Sequence, residues 1–466
     1  MDQLTVSNGP ATALSAGIAR VVITPPVGIS LTGFAGRPPS TGVHDDLLAT
    51  ALVLTERTAS GDDTASRAAL VALDVLGMYG DAIAPAIKAQ VEAVTGIPAA
   101  RVFLQCSHTH YGPVVSPEME GGDSPQALAY REALPHHVAG VVAMADAARR
   151  PVSLAAARGR VQVGINRRER RPDGRLVLGQ HPGGALDSEV QVWRFDAADG
   201  DAVEPGSPAG WVGRAPETVA VLLNYACHPV SLASQMRLIT ADFPGVARAA
   251  LEQVTGGTAL YVQGACGNIN PSLMGPDWQH PRRLGHALGG EAIRLALLAR
   301  PIVGTPLRVA REAVDFPGLL PSSAQAGRER VEALETEGER LAAQEGNAGA
   351  RWWNQSRLAQ SRRALAALEG GEPLVVRGEL SVLRLGDAAL ACNPSELFCE
   401  TGMAIKQASP FPWTAIAGYT DGAVGYVPTR AAYPEGGYEV DRACRVAPEA
   451  GELLQETTLR LLQSVR

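Results

Sequence analysis

Ten short apolar runs constrain this chain more than any other feature. Residues 17–24, 48–55, 68–76, 101–106, 189–195, 218–226, 259–263, 380–384, 388–392 and 413–418 are strand-length stretches rich in Val, Leu, Ile and Ala. Between them, residues 81–94 carry Ile83, Ile87, Val91 and Val94 at helical spacing and close with Gly96 and Pro98. Residues 242–254 and 281–300 also read as helices. Strands alternating with helices of this length predict an α/β core.

One stretch breaks the alternation. Residues 322–372 are charged and helical, with Val331, Leu334 and Leu341, then Leu358, Leu365 and Leu368, on apolar stripes. Gly346-Asn347-Ala348-Gly349 divides them, so a helical hairpin inserted between strands is expected, either an arm packed on the body or a lid over a site.

Composition narrows the function classes. With 46% hydrophobic and 19% charged residues over 466 positions, the chain can bury a large core, which excludes a disordered protein. A net charge of −7 gives no overall pull toward nucleic acid or an anionic membrane. No apolar run approaches the ~18 residues of a membrane span, so no stable membrane anchor is expected. The first residues lack a basic start and an apolar core, and so do not read as a signal peptide. Six cysteines, none in a CxxC pair, argue against a thiolate zinc finger and for a reducing, cytoplasmic setting.

The candidate chemistry gathers where apolar runs stop. The run 101–106 leads into Ser107-His108-Thr109-His110-Tyr111-Gly112-Pro113. If the strand continues, alternate side chains share a face, which sets His108 and His110 together at its mouth. Two imidazoles there suit zinc, or one metal ligand and one proton carrier. The run 218–226 leads into Cys227-His228-Pro229. The run 388–392 leads into Asn393-Pro394-Ser395-Glu396, where a capped helix would place Glu396 in its first turn. The run 413–418 leads toward Gly425-Tyr426-Val427. Crevices beyond strand C-termini are where open α/β sheets place ligands. Arg167, after Gly164-Ile165-Asn166, offers an oxyanion donor, or is one more cation in an arginine-dense stretch. The glycine loop at 264–267 offers further amides, and Asp74 and Asp242 are candidates to orient a ligand imidazole, Asp242 also being a candidate helix cap.

These motifs, taken in order, resemble the catalytic domain of the neutral/alkaline ceramidase family. GIARVVITPPVGISLTGFAGR resembles its glycine-rich first strand and loop, and GVHDDLLATALVL the strand that follows. SHTHYGP resembles its THTHSGP, INR its INRSP, NYACHP its second histidine motif and NPSELF its PGEF. The family has a metal-ligand tyrosine followed twelve residues on by an active-site tyrosine, and Tyr426 and Tyr438 have that separation.

The resemblance implies central mixed β-sheets flanked by helices, with residues 1–466 as one catalytic domain and 322–372 inserted in it. It implies zinc held by His108, His228, Glu396 and Tyr426, proton transfer by His110, and oxyanion binding by Arg167 and Tyr438. The family's GDVSPN loop reads GNINPS here, so Asn270 stands where the family has a serine. Asn270 can donate a hydrogen bond but cannot be a nucleophile, which favours an attacking water. The chain ends at Arg466, soon after the tyrosine motif, so the resemblance is to a short homologue without the C-terminal immunoglobulin-like domain. The expected activity is zinc-dependent hydrolysis of an N-acyl or cyclic amide of small size. The alternatives are an esterase or lactonase on the same zinc site, a cysteine-nucleophile acyl transferase using Cys266 or Cys227, and a non-catalytic binding protein of this fold.

Overall fold

The computed structural model describes residues 13–57, 66–80, 82–198, 217–302 and 306–466; the first twelve residues, read above for a signal peptide, and Asp81, at the start of the expected first helix, lie outside them. The fold is mixed α/β, built in four layers. The large sheet runs Thr258–Gln263, Thr218–Tyr225, Glu189–Ala197, Arg150–Arg160, Ala13–Val22, Leu48–Arg57, Ala68–Leu73, Val102–Cys106 in spatial order. Its two outermost pairs are parallel and the inner pairs antiparallel. The second sheet orders Leu307–Pro317, Val375–Leu385, Ala388–Cys392 and Trp413–Ala417.

Strand periodicity explains the layering. Val53, Val71 and Val221 face outward onto the helices Ile83–Thr95, Pro125–Ala147, Asp242–Thr255 and Gln279–Leu298. Their neighbours Leu52, Leu70 and Leu222 face inward, against Leu383, Leu390 and Ala415 of the second sheet. That sheet turns Val382, Ala391 and Ile416 to the last helix, Ala450–Ser464, through Leu454 and Leu462. Strands such as Leu48–Arg57, Ala68–Leu73, Thr218–Tyr225 and Ala388–Cys392 are therefore buried on both faces, which is why they read as apolar runs rather than alternating ones.

The expected hairpin is present as helices Ala324–Ala342 and Ala348–Gly370, between the strands Leu307–Pro317 and Val375–Leu385. Helix Pro125–Ala147 was not expected. Pro135 lies inside it and its apolar stripe is weak, so the helical period does not stand out in the sequence.

The segment 418–421 ties the large sheet's two edges together. The Gly418 amide donates to Gln263 at 2.9 Å, the Cys106 amide to Tyr419 at 3.2 Å, and the Asp421 amide to Leu104 at 2.8 Å. The chain leaving Cys106 and the chain leaving Tyr225 are thereby drawn to one place.

Candidate functional site

Strand Val102–Cys106 ends one residue before the histidine motif, so His108 and His110 are not strand neighbours. The Ser107 and His108 amides turn back to the Leu73 and Val75 carbonyls at 2.8 and 3.0 Å, and His108 takes a left-handed φ of 66°. This turn, rather than strand alternation, brings the Nε2 atoms of His108 and His110 to 3.3 Å. Non-glycine residues held at positive φ tend to cluster at functional sites.

Glu396 is likewise not in a helix. Helix Cys399–Ala408 starts later, and Ser395–Leu397 is a short strand paired in parallel with Gly425–Val427. In that register Glu396 lies directly opposite Tyr426. The pairing sets two residues thirty positions apart side by side, both buried.

His228 completes the cluster. Its Nε2 is 3.3 Å from Glu396 Oε2, and His108 Nε2 is 3.6 Å from the same oxygen. Two ligand atoms held at ~2.0–2.1 Å from one zinc ion at a tetrahedral angle lie ~3.4 Å apart, so these separations match a shared metal. The proton positions agree. His108 Nδ1 is 2.7 Å from the Leu76 carbonyl and His228 Nδ1 is 2.7 Å from that of Cys266. A carbonyl only accepts, so each Nδ1 carries the hydrogen and each Nε2 presents a lone pair. Lone pairs and a carboxylate converging in a buried space suit a cation. Burial, then the charge of Arg167, lowers the pKa of His228 to about 4, which keeps the ring neutral.

His110 differs. Its Nε2 faces the cluster, and the ligand-type nitrogens of His108, His110 and His228 all lie within 4.8 Å of one another. Yet its Nδ1, though buried, has no hydrogen-bond partner among the described residues. Metal-bound imidazoles are almost always fixed through their second nitrogen. His108 and His228 meet that condition and His110 does not. Burial, then the neighbouring His108 and His228, holds its pKa well below the usual histidine value. The ring is confined by Phe34, with centroids 5.0 Å apart, and by Gly33, where a Cβ would stand 2.3 Å from Nδ1.

The residues expected to orient the imidazoles do other work. Asp74 binds Arg248 at 2.6 Å, and Asp242 accepts from the Ser231 and Phe243 amides at 2.9 and 2.6 Å. Asp242 also opens its helix without capping it. The orienting groups are main-chain carbonyls instead. The loop amides at Gly264 and Gly267 are taken by the carbonyls of Tyr225 and Leu397, so neither is free for an oxyanion.

Arg167 is buried behind the cluster. Its Nε donates to Glu439 at 2.7 Å, one terminal nitrogen to Tyr426 Oη at 2.9 Å, and the other to Asn270 Oδ1 at 3.2 Å. Neither Arg167 nor Asn270 lines the cavity that opens over the cluster. That cavity is walled by His108, His110, Glu396, Tyr79, Tyr426 and Tyr438, by loop 31–35, and by Trp352 and Trp353 of helix Ala348–Gly370. The hairpin is thus packed on the body and forms part of the cavity wall.

Three contributors escape the sequence reading. Tyr79 donates to Glu396 Oε1 at 3.2 Å, from the loop beyond strand Ala68–Leu73. Glu439 holds both Arg167 and Arg168, at 2.7 and 2.9 Å; its signal was its place directly after Tyr438. The Tyr419 ring stacks on His108, with centroids 3.9 Å apart.

Cys227 and Cys266 are fully buried, and burial pushes both thiols well above their usual range, the reverse of what a nucleophile needs.

No family model and no curated protein matches the sequence. Among solved structures the fold is similar to a ceramidase complexed with C2, with TM-score 0.74 and 18% identity over 98% of this chain and 75% of that one. It is also similar to the neutral ceramidase from Pseudomonas aeruginosa, with TM-score 0.71 and 18% identity over 97% of this chain and 74% of that one.

Proposed function

We propose that this ceramidase-like fold carries a zinc-dependent hydrolase that cleaves an amide bond of a small substrate. The observation that carries the reading is the contrast among three histidines: two are locked through Nδ1 with their lone pairs converging on Glu396, and one is unpinned beside them. Ceramidases, to which the fold is similar, are hydrolases of amide bonds. In this reading residues 1–466 act as one catalytic domain with 322–372 inserted in it.

His108, His228, Glu396 and Tyr426 would hold the zinc. When bound, such an ion polarises a carbonyl and lowers the pKa of water toward about 7. His110 takes the proton released as water adds to the carbonyl carbon, and passes it to the departing nitrogen. An imidazole whose Nδ1 is tied to nothing can change protonation without breaking a structural bond. Tyr438, on the cavity wall beside Tyr426 with ring centroids 5.8 Å apart, donates to the developing oxyanion. Arg167 acts through Tyr426: burial raises the pKa of the phenol, and the guanidinium, donating to the phenol oxygen at 2.9 Å, offsets part of that rise in favour of the ionised form that a metal ligand requires. Asn270 helps to hold Arg167 rather than touching substrate.

The experiment is hydrolysis of a panel of simple N-acyl anilides by the purified protein, treated separately with 1,10-phenanthroline and iodoacetamide. Chelation is expected to abolish turnover, with zinc restoring it, and alkylation to leave it unchanged. Turnover that survives chelation but not alkylation would overturn the metal reading in favour of a cysteine nucleophile.

A further inference from the structure

The cavity over the candidate metal centre is lined by charged side chains of both signs. Arg357 of helix Ala348–Gly370, Arg442 and Arg445 line it, as do Glu118 and Glu120. Glu120 is already engaged, accepting the Gly36 amide at 2.7 Å.

Several arginines elsewhere in the interior hold carboxylates, and Arg37 holds the Thr32, His110 and Met236 carbonyls. Arg67 pairs with Asp146, Arg248 with Asp74, and Arg311 with Asp421. Among the described residues, Arg357, Arg442 and Arg445 make no ion pair, and the buried Arg357 Nε has no hydrogen-bond partner. Burial, then the like charges of Arg330 and Arg442, lowers the pKa of Arg357; Asp441 and Glu337, the acidic groups facing it, offset this only in part. Cations crowded at one partly dry wall repel one another until an anion joins them. The same helix presents Trp352 and Trp353, apolar surface for the rest of a ligand.

We propose that the substrate carries a carboxylate, separate from its scissile amide, that is bound by Arg357, Arg442 and Arg445. This rests on the hydrolase reading above and adds the substrate class.

The test uses the full chain and paired probes: ω-carboxy anilides from glutaranilic to suberanilic acid, each against the neutral anilide of the same chain length. Binding is read by calorimetry and hydrolysis by release of aniline. At least one acid is expected to bind about tenfold or more tightly than its neutral partner, the size of one good charge-assisted contact. Arg357→Gln and Arg442→Gln should each shrink that ratio several-fold. Arg442 is exposed, so its replacement does not threaten the fold. The inference is overturned if no acid is preferred, or if the preference is untouched in both variants, as it would be for a carboxylate sitting on the metal. If the acids are preferred through these arginines but no anilide is cut, the anion site stands and the hydrolase reading fails. If acids and neutral anilides bind and react alike, the hydrolase reading stands and the anion site falls.

Discussion

Replacing His228 by alanine is expected to empty the metal site and lower kcat/KM on an amide by about 10³-fold or more, because the several kcal/mol of charge stabilisation that zinc supplies are lost with it. The ring is fully buried, its Nδ1 is spent on the Cys266 carbonyl and its Nε2 faces Glu396 at 3.3 Å. Nothing else in the cluster has a lone pair in that place. Alanine also removes a buried hydrogen bond, leaving the Cys266 carbonyl with only the Ile269 amide at 2.9 Å, so a fold defect must be separated from a metal defect. His228→Asn serves this purpose. An asparagine amide can reproduce the Nδ1–H donor toward Cys266 but has no atom where Nε2 stands. Both variants should hold less than about a tenth of an equivalent of zinc, and the asparagine variant should melt nearer to the parent. A His228→Asn protein that is folded, inactive and still fully loaded would show that His228 is not a ligand.

His110→Ala is expected to behave in the opposite way: zinc content stays near that of the parent, while kcat falls by about 10²–10⁴-fold, the usual contribution of a positioned general acid and base. The second nitrogen again distinguishes the two roles. A ligand imidazole is normally oriented through it, and His110 Nδ1 has no partner among the described residues and lies against Gly33. Its Nε2 is 3.3 Å from that of His108, near enough to serve an atom bound beside the metal. Metal analysis and steady-state kinetics on the same preparation check both parts. Zinc lost from His110→Ala but retained in His228→Asn would exchange the two roles.

The fold was legible where physics writes itself into residue type. Strands buried on both faces must be apolar throughout, so Leu48–Arg57 and Thr218–Tyr225 stood out with boundaries close to those observed. The hairpin stood out through its stripes and its glycine break. Helix Pro125–Ala147 did not, because an internal proline and a weak stripe obscure its period. The candidate site was legible in its members but not in its geometry. The three-residue strands Ser395–Leu397 and Gly425–Val427 are too short to show periodicity, so the pairing that joins Glu396 to Tyr426 could not be read. The groups that orient His108 and His228 are main-chain carbonyls, which leave no mark on residue type. Carboxylates do leave a mark, which is why Asp74 and Asp242 drew attention, but they are committed to Arg248 and to main-chain amides. Arg167 read as an oxyanion donor from its loop; it is buried, bonded to Tyr426 at 2.9 Å and outside the cavity lining.

In the proposed function, His108, His228, Glu396 and Tyr426 form a zinc site. The most direct test is metal content by mass spectrometry of the protein as purified, without added metal. Close to one equivalent of zinc per chain is expected. Less than about a tenth of an equivalent, in protein that is folded and takes up no zinc on titration, would contradict it.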